Sequence, residues 1–320
     1  MRKGADDCRA ISATDVMIAG DVLRVAHGGL PELRGTDTAE ALAELRARHE
    51  RLRSFLNEPP HGNELVNACL LYPASKPSRA GRHFLASRFG FLPFAGTALM
   101  ACATVRALEG SLPQPDGMPL VFETARGLAE VEVQSDGPLS ARATWIASVP
   151  SVPIADHLID LPGRGMVRLS IVMSGLPYIV VEDRELGVSI DAVPELARAA
   201  MALGAAVERE WPVARFGFGD DHAHFLMMVI CLRDTEEVRV VWVSDRGEAA
   251  RSAGGTGALA VLGALEARGL RRRGRAVSIR APGGSFSCLI GDRAAFVTAD
   301  VQVVARHEFF FDGKPAYPSA

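Results

Sequence analysis

The chain has 320 residues, a net charge of −3, and 48% hydrophobic and 23% charged residues. This is the composition of a soluble globular protein, and the length allows two domains with separate cores. The sequence contains no basic run typical of nucleic-acid binding. Its one arginine cluster, at 271–275, is interpreted as a solvated helix end. The longest apolar runs are too short to span a bilayer, and the first residues contain no apolar leader. We therefore expect a cytoplasmic protein that binds neither nucleic acid nor membrane.

Helical patterns are few, and strand patterns dominate. A first helix is predicted over 37–56, since Asp37 can cap it, Glu40 follows three residues later, and apolar residues recur at helical spacing. A second helix is predicted over 193–208. Short apolar or alternating runs between glycine-containing turns predict the strands. These runs cover 120–123, 129–133, 166–173, 178–182, 225–232, 238–243, 276–279 and 295–304.

Two short glycine-threonine turns, 95–98 and 254–257, lead directly into alanine-rich helices. Both helices end at a glycine and are apolar nearly all round, so buried helices are predicted. A helix N-terminus presents backbone N–H groups and a partial positive charge, which suit an anion. The pair of turns therefore indicates a small carboxylate-bearing substrate, held in a cleft between two similar lobes.

The five cysteines are odd in number and scattered, without CxxC spacing. This pattern argues against a disulfide framework and against a thiolate metal site, and it predicts small buried side chains. They are Cys8, Cys69, Cys102, Cys231 and Cys288. No nucleotide cofactor is expected either, because neither a Walker motif nor a GxGxxG fingerprint occurs in the sequence.

Several short motifs occur in an order that resembles the proline racemase family, which includes 4-hydroxyproline epimerases and trans-3-hydroxyproline dehydratases. The motifs are RVAHGGLP at 24–31, Glu58-Pro59 with His61-Gly62, GFLP at 90–93, Glu123-Thr124 with Gly127-Leu128, VPS at 149–151, Arg251-Ser252 with 255–257, and His307 with Phe309 and Asp312. Each motif alone is weak, but together they cover nearly the whole chain.

The resemblance implies a diaminopimelate-epimerase-like fold of class α+β, with two pseudo-symmetric α/β lobes. Each lobe would be a β-barrel-like sheet around a buried central helix, with the active-site cleft between the lobes. The proline-containing stretch 148–153 is the most linker-like segment. We therefore expect an N-terminal lobe of residues 1–148 with 300–320, and a C-terminal lobe of residues 149–299.

The sequence departs from this family at the positions that carry its chemistry. The family's first turn reads Met-Cys-Gly-His-Gly, and here Ala95 stands at the cysteine and Thr97 at the histidine. The second turn reads Asp-Arg-Ser-Pro-Cys-Gly-Thr-Gly, and here Ala250 replaces the aspartate and Gly254 the cysteine. Met17 occupies the position of a family histidine near the N-terminus.

These losses exclude ordinary two-thiol racemase activity. Racemisation needs an acid/base group on each face of the α-carbon, within hydrogen-bond reach. Cysteine serves in that role because a helix N-terminus lowers its pKa, whereas Ala95 and Gly254 carry no ionisable group. Cys102 cannot substitute, because it lies seven residues beyond Ala95, about 10 Å along the helix.

The two turns can still bind an anion without the thiols; we call the helix N-termini at these turns the anion cradle. The predicted substrate-binding residues are Gly96, Thr97, Gly255, Thr256 and Gly257, together with His61 and Tyr178, which the resemblance places in pocket-lining segments. The alternative is that the turn residues remain only as helix caps and packing glycines, and that the ring residues are structural.

The densest ionisable cluster of the sequence is 220–224, just before an apolar strand. Asp221, His222 and His224 are therefore candidates for the acid/base group of a repurposed enzyme. The alternative is a solvated turn before a strand. A His-x-His metal site is the least favoured reading, because the pattern is unspecific, and we expect no metal.

Two hypotheses remain open. The first is a cofactor-independent (and pyridoxal-phosphate-independent) isomerase, lyase or cyclase that acts on a proline-like or other cyclic amino or imino acid. The second is a catalytically inactive homologue that binds a ligand or regulates an active partner. The oligomeric state is left open, with a homodimer as one option.

Overall fold

The computed structural model describes residues 9–63, 66–87, 90–110, 118–148, 152–216, 225–232, 237–244 and 246–312. The chain divides into two compact units: Met1–Trp145 with Asp300–Ala320, and Ile146–Ala299. Among the described helices, none is both long enough and apolar enough to cross a bilayer.

The first unit is built from strand–helix–strand crossovers. Its elements are β1 (Arg9–Ile18), β2 (Asp21–Gly28), α1 (Thr38–Arg48), α2 (Glu50–Asn57), β3 (Val66–Tyr72), β4 (Gly81–Ser87), β5 (Gly90–Leu92), α3 (Gly96–Leu108), β6 (Leu120–Thr124), β7 (Gly127–Ser135), most of β8 (Ser140–Ala147) and the later part of β17 (Ala295–Phe311). Strands β2 and β3 are parallel, with α1 and α2 between them in sequence, and β4 and β6 are parallel, with α3 between them.

The second unit repeats this order. Its elements are β9 (Val152–Leu161), β10 (Gly165–Met173), β11 (Pro177–Glu182), α4 (Asp183–Leu186), α5 (Val193–Glu210), a 3-10 turn (Val213–Phe216), β12 (Leu226–Cys231), β13 (Glu237–Val243), β14 (Ala249–Ala250), α6 (Gly255–Ala267), β15 (Val277–Ala281), β16 (Gly284–Ile290) and the start of β17. Strands β11 and β12 are parallel across α5, and β13 and β15 are parallel across α6. The predicted pseudo-symmetric two-lobed fold is confirmed.

Helices α3 and α6 are the buried centres of the two units. Helix α3 contacts β1, β2, β3, β4 and β7, and α6 contacts β9, β10, β11, β12, β15 and β16. Every residue of α6 from Gly257 to Leu265 is buried, as is every residue of α3 from Gly96 to Val105. An all-round apolar surface requires such an environment, and the prediction of two buried helices is confirmed.

The helix predicted over 37–56 is wrong in one respect. Asp37 caps it as expected, because its Oδ1 accepts hydrogen bonds from the N–H groups of Ala39 and Glu40, both at 2.8 Å. The helix nevertheless ends at His49, whose ψ of 22° departs from helical geometry, and α2 begins at Glu50. The predicted second helix is confirmed as α5, and each predicted strand overlaps an observed one.

Candidate active site

The first turn places Ala95 at the N-cap of α3. Its backbone is extended (φ −152°, ψ 125°), and its carbonyl accepts the first helical hydrogen bond, from the Leu99 N–H at 3.0 Å. The N–H groups of the first turn, which include those of the buried residues Gly96 and Thr97, precede the first helical hydrogen bond and are not part of the helical series. Ala95 itself is half-buried. The position of the family thiol is therefore held by a methyl group at the helix N-terminus.

Trp145 packs against this turn. A Cβ built at Gly96 would lie 2.4 Å from Cε3 of the Trp145 ring, and the ring centroid of Phe94 lies 5.2 Å from that of Trp145. Gly96 is therefore required by the close approach of an aromatic ring, in addition to its predicted part in the anion cradle. Sequence reasoning missed this contact because the two residues are far apart along the chain.

We expect Gly96→Ala to destabilise the fold by about 1–3 kcal/mol, because a rigid ring must move to admit the methyl group. Adding Trp145→Leu should recover part of this loss, measured as a coupling free energy in urea unfolding. Gly204→Ala is the matched control: Gly204 lies within α5, and its added Cβ would meet the flexible Met227 side chain at ordinary contact distances, with Sδ at 3.5 Å and Cγ at 3.9 Å. That substitution should stabilise the protein. Equal effects at the two glycines would contradict the packing argument.

The second turn places Gly254 at the N-cap of α6, with a φ of 64°. Its N–H donates to Ser252 Oγ at 3.1 Å, and its carbonyl accepts from the Ala258 N–H at 2.9 Å. A Cβ built at Gly254 would meet nothing within 4 Å. The second thiol position is therefore open in space, although its backbone conformation favours glycine.

Three of the predicted residues meet beside this second turn. The Tyr178 hydroxyl, on β11, lies 2.7 Å from Thr256 Oγ1, on the first turn of α6. A Cβ at Gly257 would lie 3.5 Å from Tyr178 Cε1 and 3.1 Å from Met228 Cε, so the helix packs closely on this strand. Burial raises the pKa of Tyr178 above its ordinary value. The phenol is therefore neutral at physiological pH and can donate a hydrogen bond there, but it cannot act as a base.

This burial predicts a pH dependence of stability. The folded state holds the Tyr178 proton more tightly than the unfolded chain, so stability present below the ordinary tyrosine pKa of about 10 is lost as the pH rises above it. Tyr178→Phe should reduce the slope of unfolding free energy against pH above about pH 10, by at most about 1.4 kcal/mol per unit. Burial also raises the pKa of Tyr72, so Tyr72→Phe is a parallel control. An unchanged slope in the Tyr178 variant would contradict the burial of an ionisable phenol.

His61 lies in a different environment from either turn. Its carbonyl accepts from Arg24 Nη1, and its ring packs 4.1 Å from the Phe55 centroid and edge-on to Phe309 at 6.0 Å. These contacts tie the segment after α2 to β2 and β17, so they assign His61 a structural place in the first unit. A substrate-binding role for His61 stays a prediction.

A buried ion pair joins the strands of the first hairpin. Arg24 Nε donates to Asp15 Oδ1 at 2.9 Å and Arg24 Nη2 to Asp15 Oδ2 at 3.0 Å, and His307 Nε2 lies 2.9 Å from Asp15 Oδ2. Asp15 and Arg24 are 6% and 5% exposed. Sequence reasoning gave Arg24 only as part of a motif and did not identify Asp15. The signal was available, as each is a charged residue within an apolar strand.

Four cysteines are free and buried, as predicted; Cys8 lies outside the described residues. Cys102 Sγ lies 3.5 Å from His83 Nδ1 in the core of the first unit. Burial favours the neutral thiol, but the hydrogen bond with Cys69 and the neighbouring His83 outweigh it and lower the pKa of Cys102 to about 6. Because Cys102 is fully buried along α3, it does not replace a thiol at the helix N-terminus.

Asp221, His222 and His224, the predicted acid/base candidates, lie outside the described residues, and their role stays a prediction. Within the described ranges, no group of three or more His, Cys, Asp or Glu side chains is arranged to hold a metal ion.

Comparisons with known proteins point to one family. The sequence model described as proline racemase matches residues 13–306. A protein of Chromohalobacter salexigens is 28% identical over 286 residues, covering 85% of this chain and 79% of that protein. The 4-hydroxyproline epimerase of Brucella melitensis is 26% identical over 167 residues, which is 52% of this chain and 50% of the epimerase.

Solved structures agree on the fold. The hydroxyproline epimerase of Agrobacterium vitis, crystallised with bound trans-4-hydroxy-L-proline, superposes with a TM-score of 0.78 at 24% identity, covering 95% of this chain and 93% of that one. At this identity the likeness establishes the architecture alone. The aligned segment of the Brucella epimerase spans only about half of that enzyme's length.

Proposed function

The chain belongs to the proline racemase family, and from this membership we propose a cofactor-independent enzyme that acts on a small cyclic amino or imino acid. The proposed reaction is an isomerisation, elimination or cyclisation, and not a two-base racemisation. The observation that carries the second half of the proposal is the pair of N-caps: Ala95 begins α3 and Gly254 begins α6, and neither has an acid/base side chain.

In this proposal, the carboxylate of the substrate binds at the helix N-termini of the two turns. Each helix begins without a side-chain cap, and each N-cap is half-buried. A helix N-terminus stabilises negative charge through its first-turn amides and its dipole. Tyr178 and Thr256 add a hydroxyl pair beside the second turn. Such groups bind, orient and stabilise developing charge, and they can accelerate a reaction without abstracting the α-proton themselves.

A panel of substrates tests the proposal. The purified protein would be incubated in D2O with the L- and D-isomers of proline, 4-hydroxyproline and 3-hydroxyproline, and with other cyclic imino acids, and followed by proton NMR. We expect at least one compound to be consumed without inversion at its α-carbon. Inversion of proline or hydroxyproline at a rate typical of an enzyme would contradict the absence of two bases.

The second candidate is an inactive ligand-binding or regulatory homologue. The observation in its favour is Trp145, whose ring fills the space beside Gly96 in the first turn. A compound of the same panel that raises the melting temperature and is never consumed would favour this candidate. A compound that is consumed would exclude it.

A further inference from the structure

A second feature of the C-terminal unit lies at the other end of α6. A cavity of about 910 Å³ opens beside the loop that follows the helix and beside the paired strands β13 and β15. Its polar lining residues are Arg271, Arg272, Arg275, Arg280, Ser278 and Glu237. This volume lies in the range of small-molecule sites, about 300–1,000 Å³.

The cavity is separate from the second turn. Gly254 caps the N-terminus of α6, whereas the cavity is lined from Gly269 onwards, beyond the C-terminus of the helix. A helix of this length measures about 20 Å at ~1.5 Å per residue. A ligand in the cavity would therefore not occupy the turn to which the proposed function assigns the carboxylate.

The arginines are not needed to cap the helix. The N–H of Gly269 donates to the Glu266 carbonyl at 2.9 Å, and the N–H of Leu270 to the Leu265 carbonyl at 2.8 Å. With Gly269 at a φ of 67°, these two bonds form a Schellman motif, which satisfies the last carbonyls of a helix. The N–H of Gly274 donates to the Ile290 carbonyl at 2.9 Å and fixes the loop on β16. The backbone therefore satisfies the last carbonyls of α6, and Arg271 Nη1 adds a hydrogen bond to the Leu270 carbonyl in the loop, at 2.8 Å.

The charge of the lining is strongly positive. Four guanidinium groups line the cavity, and Glu237 is the one carboxylate among its described lining residues. That carboxylate is already 3.4 Å from Arg280 Nη1. Arg272 and Arg275 are exposed. Gathering guanidinium groups around one concavity raises their mutual repulsion, which a multivalent anion relieves.

We propose that this cavity binds a small molecule that carries a polyphosphate chain. Guanidinium groups form bidentate, charge-assisted hydrogen bonds with phosphate oxygens, and several of them around one cavity match several adjacent phosphates better than a single carboxylate. The site is one of binding, and it acts on no bond of the ligand. It is independent of the proposed catalytic function.

Isothermal titration calorimetry tests the site with three probes: inorganic tripolyphosphate, ATP and adenosine. We expect one molecule of tripolyphosphate or ATP to bind per chain, and adenosine not to bind. Equal affinities would assign the recognition to the phosphate chain, whereas at least about tenfold tighter binding of ATP would show that the cavity also recognises the nucleoside. Failure of both phosphates to bind at low ionic strength would overturn the proposal.

Variants distinguish a specific binding site from general electrostatic attraction to the arginines. Arg272→Gln combined with Arg275→Gln should weaken tripolyphosphate binding by at least about tenfold, because charge-assisted bonds to phosphate are lost. Arg273→Gln is the matched control, since Arg273 lies in the same loop, is absent from the lining and sits 3.9 Å from Glu266. It should change the affinity by less than about twofold. If it weakens binding as much as the pair, the inference is wrong. Thermal unfolding without ligand checks that both variants are folded.

Discussion

An Ala95→Cys/Gly254→Cys variant should exchange the α-proton of proline or 4-hydroxyproline with solvent, because it places an acid/base side chain at both N-caps, where the natural chain has none. A cysteine at each N-cap would sit at the positive end of a helix, where the thiol pKa falls and the thiolate becomes a competent base. General acid–base groups contribute about 10²–10⁴-fold to such rates. We therefore expect deuterium incorporation at least about 100-fold above that of the natural protein, measured by NMR in D2O.

The single variants make the test sharper. Ala95→Cys alone supplies one base, so it should exchange the α-proton of one enantiomer with retention of configuration. Inversion should require both thiols, because the proton must return to the opposite face. Gly254→Cys carries a cost of its own, since a φ of 64° is unfavourable for any residue with a Cβ, although the space beside it is open. We expect this variant to be less stable than Ala95→Cys.

Ala95→Ser is the matched control, because its hydroxyl has nearly the same size and remains protonated. Cys69, Cys102, Cys231 and Cys288 are buried, and Cys8 lies outside the described residues. With Cys8 replaced by alanine, the introduced thiols can therefore be followed by their reaction with a soluble disulfide reagent across a pH series. A folded double variant whose thiols ionise near neutral pH, yet which exchanges no proton with any imino acid of the panel, would refute the proposed substrate class.

The parts of the fold that the sequence predicts are those with local signals. The two glycine-threonine turns and their buried helices follow from short-range pattern alone, since an all-round apolar helix can only be a central one. The resemblance supplies the pairing of two lobes, which periodicity does not reveal. The break at His49 is missed because the apolar spacing of α1 and α2 continues across it.

The contacts that decide the chemistry of the turns are long-range, and local patterns do not encode them. Trp145 lies 49 residues from Gly96, and Tyr178 lies 78 residues from Thr256. The resemblance suggests Tyr178, whereas no sequence signal singles out Trp145. The sequence also cannot show that the Trp145 ring packs against Gly96, or that the Tyr178 hydroxyl lies within hydrogen-bond distance of Thr256. Such pairings depend on strand register, which arises only when the whole sheet forms.

The ion pair of Asp15 and Arg24 is expected to be the largest single contributor among the described polar contacts of the first unit. Arg24 pairs both oxygens of Asp15 and also donates from Nη1 to the carbonyls of Leu56 and His61. One guanidinium therefore joins the β1–β2 hairpin to the end of α2. The strand register brings the two residues opposite each other, because the two-residue turn at 19–20 sets Asp15 against Arg24.

Arg24→Ala should lower the free energy of unfolding by about 3–5 kcal/mol, because it leaves the Asp15 carboxylate buried without its cation and two carbonyls without a donor. Urea unfolding at neutral pH, followed by circular dichroism, would measure the loss. The double variant Asp15→Leu/Arg24→Met should be more stable than Arg24→Ala, since no charge then remains buried. It should still fall short of the natural protein, because the Leu56 and His61 carbonyls lose their donor.

Arg142→Ala is the matched control for this experiment. Arg142 also pairs with an aspartate across strands of the first unit, at 3.1 Å from Asp300, but the two side chains are 63% and 82% exposed. An exposed pair contributes less than about 1 kcal/mol, since solvent screens it. If Arg24→Ala cost no more than Arg142→Ala, the buried pair would not be what fixes the hairpin to α2, and the apolar contacts of Phe55 with Phe309 and Phe311 would have to hold that junction instead.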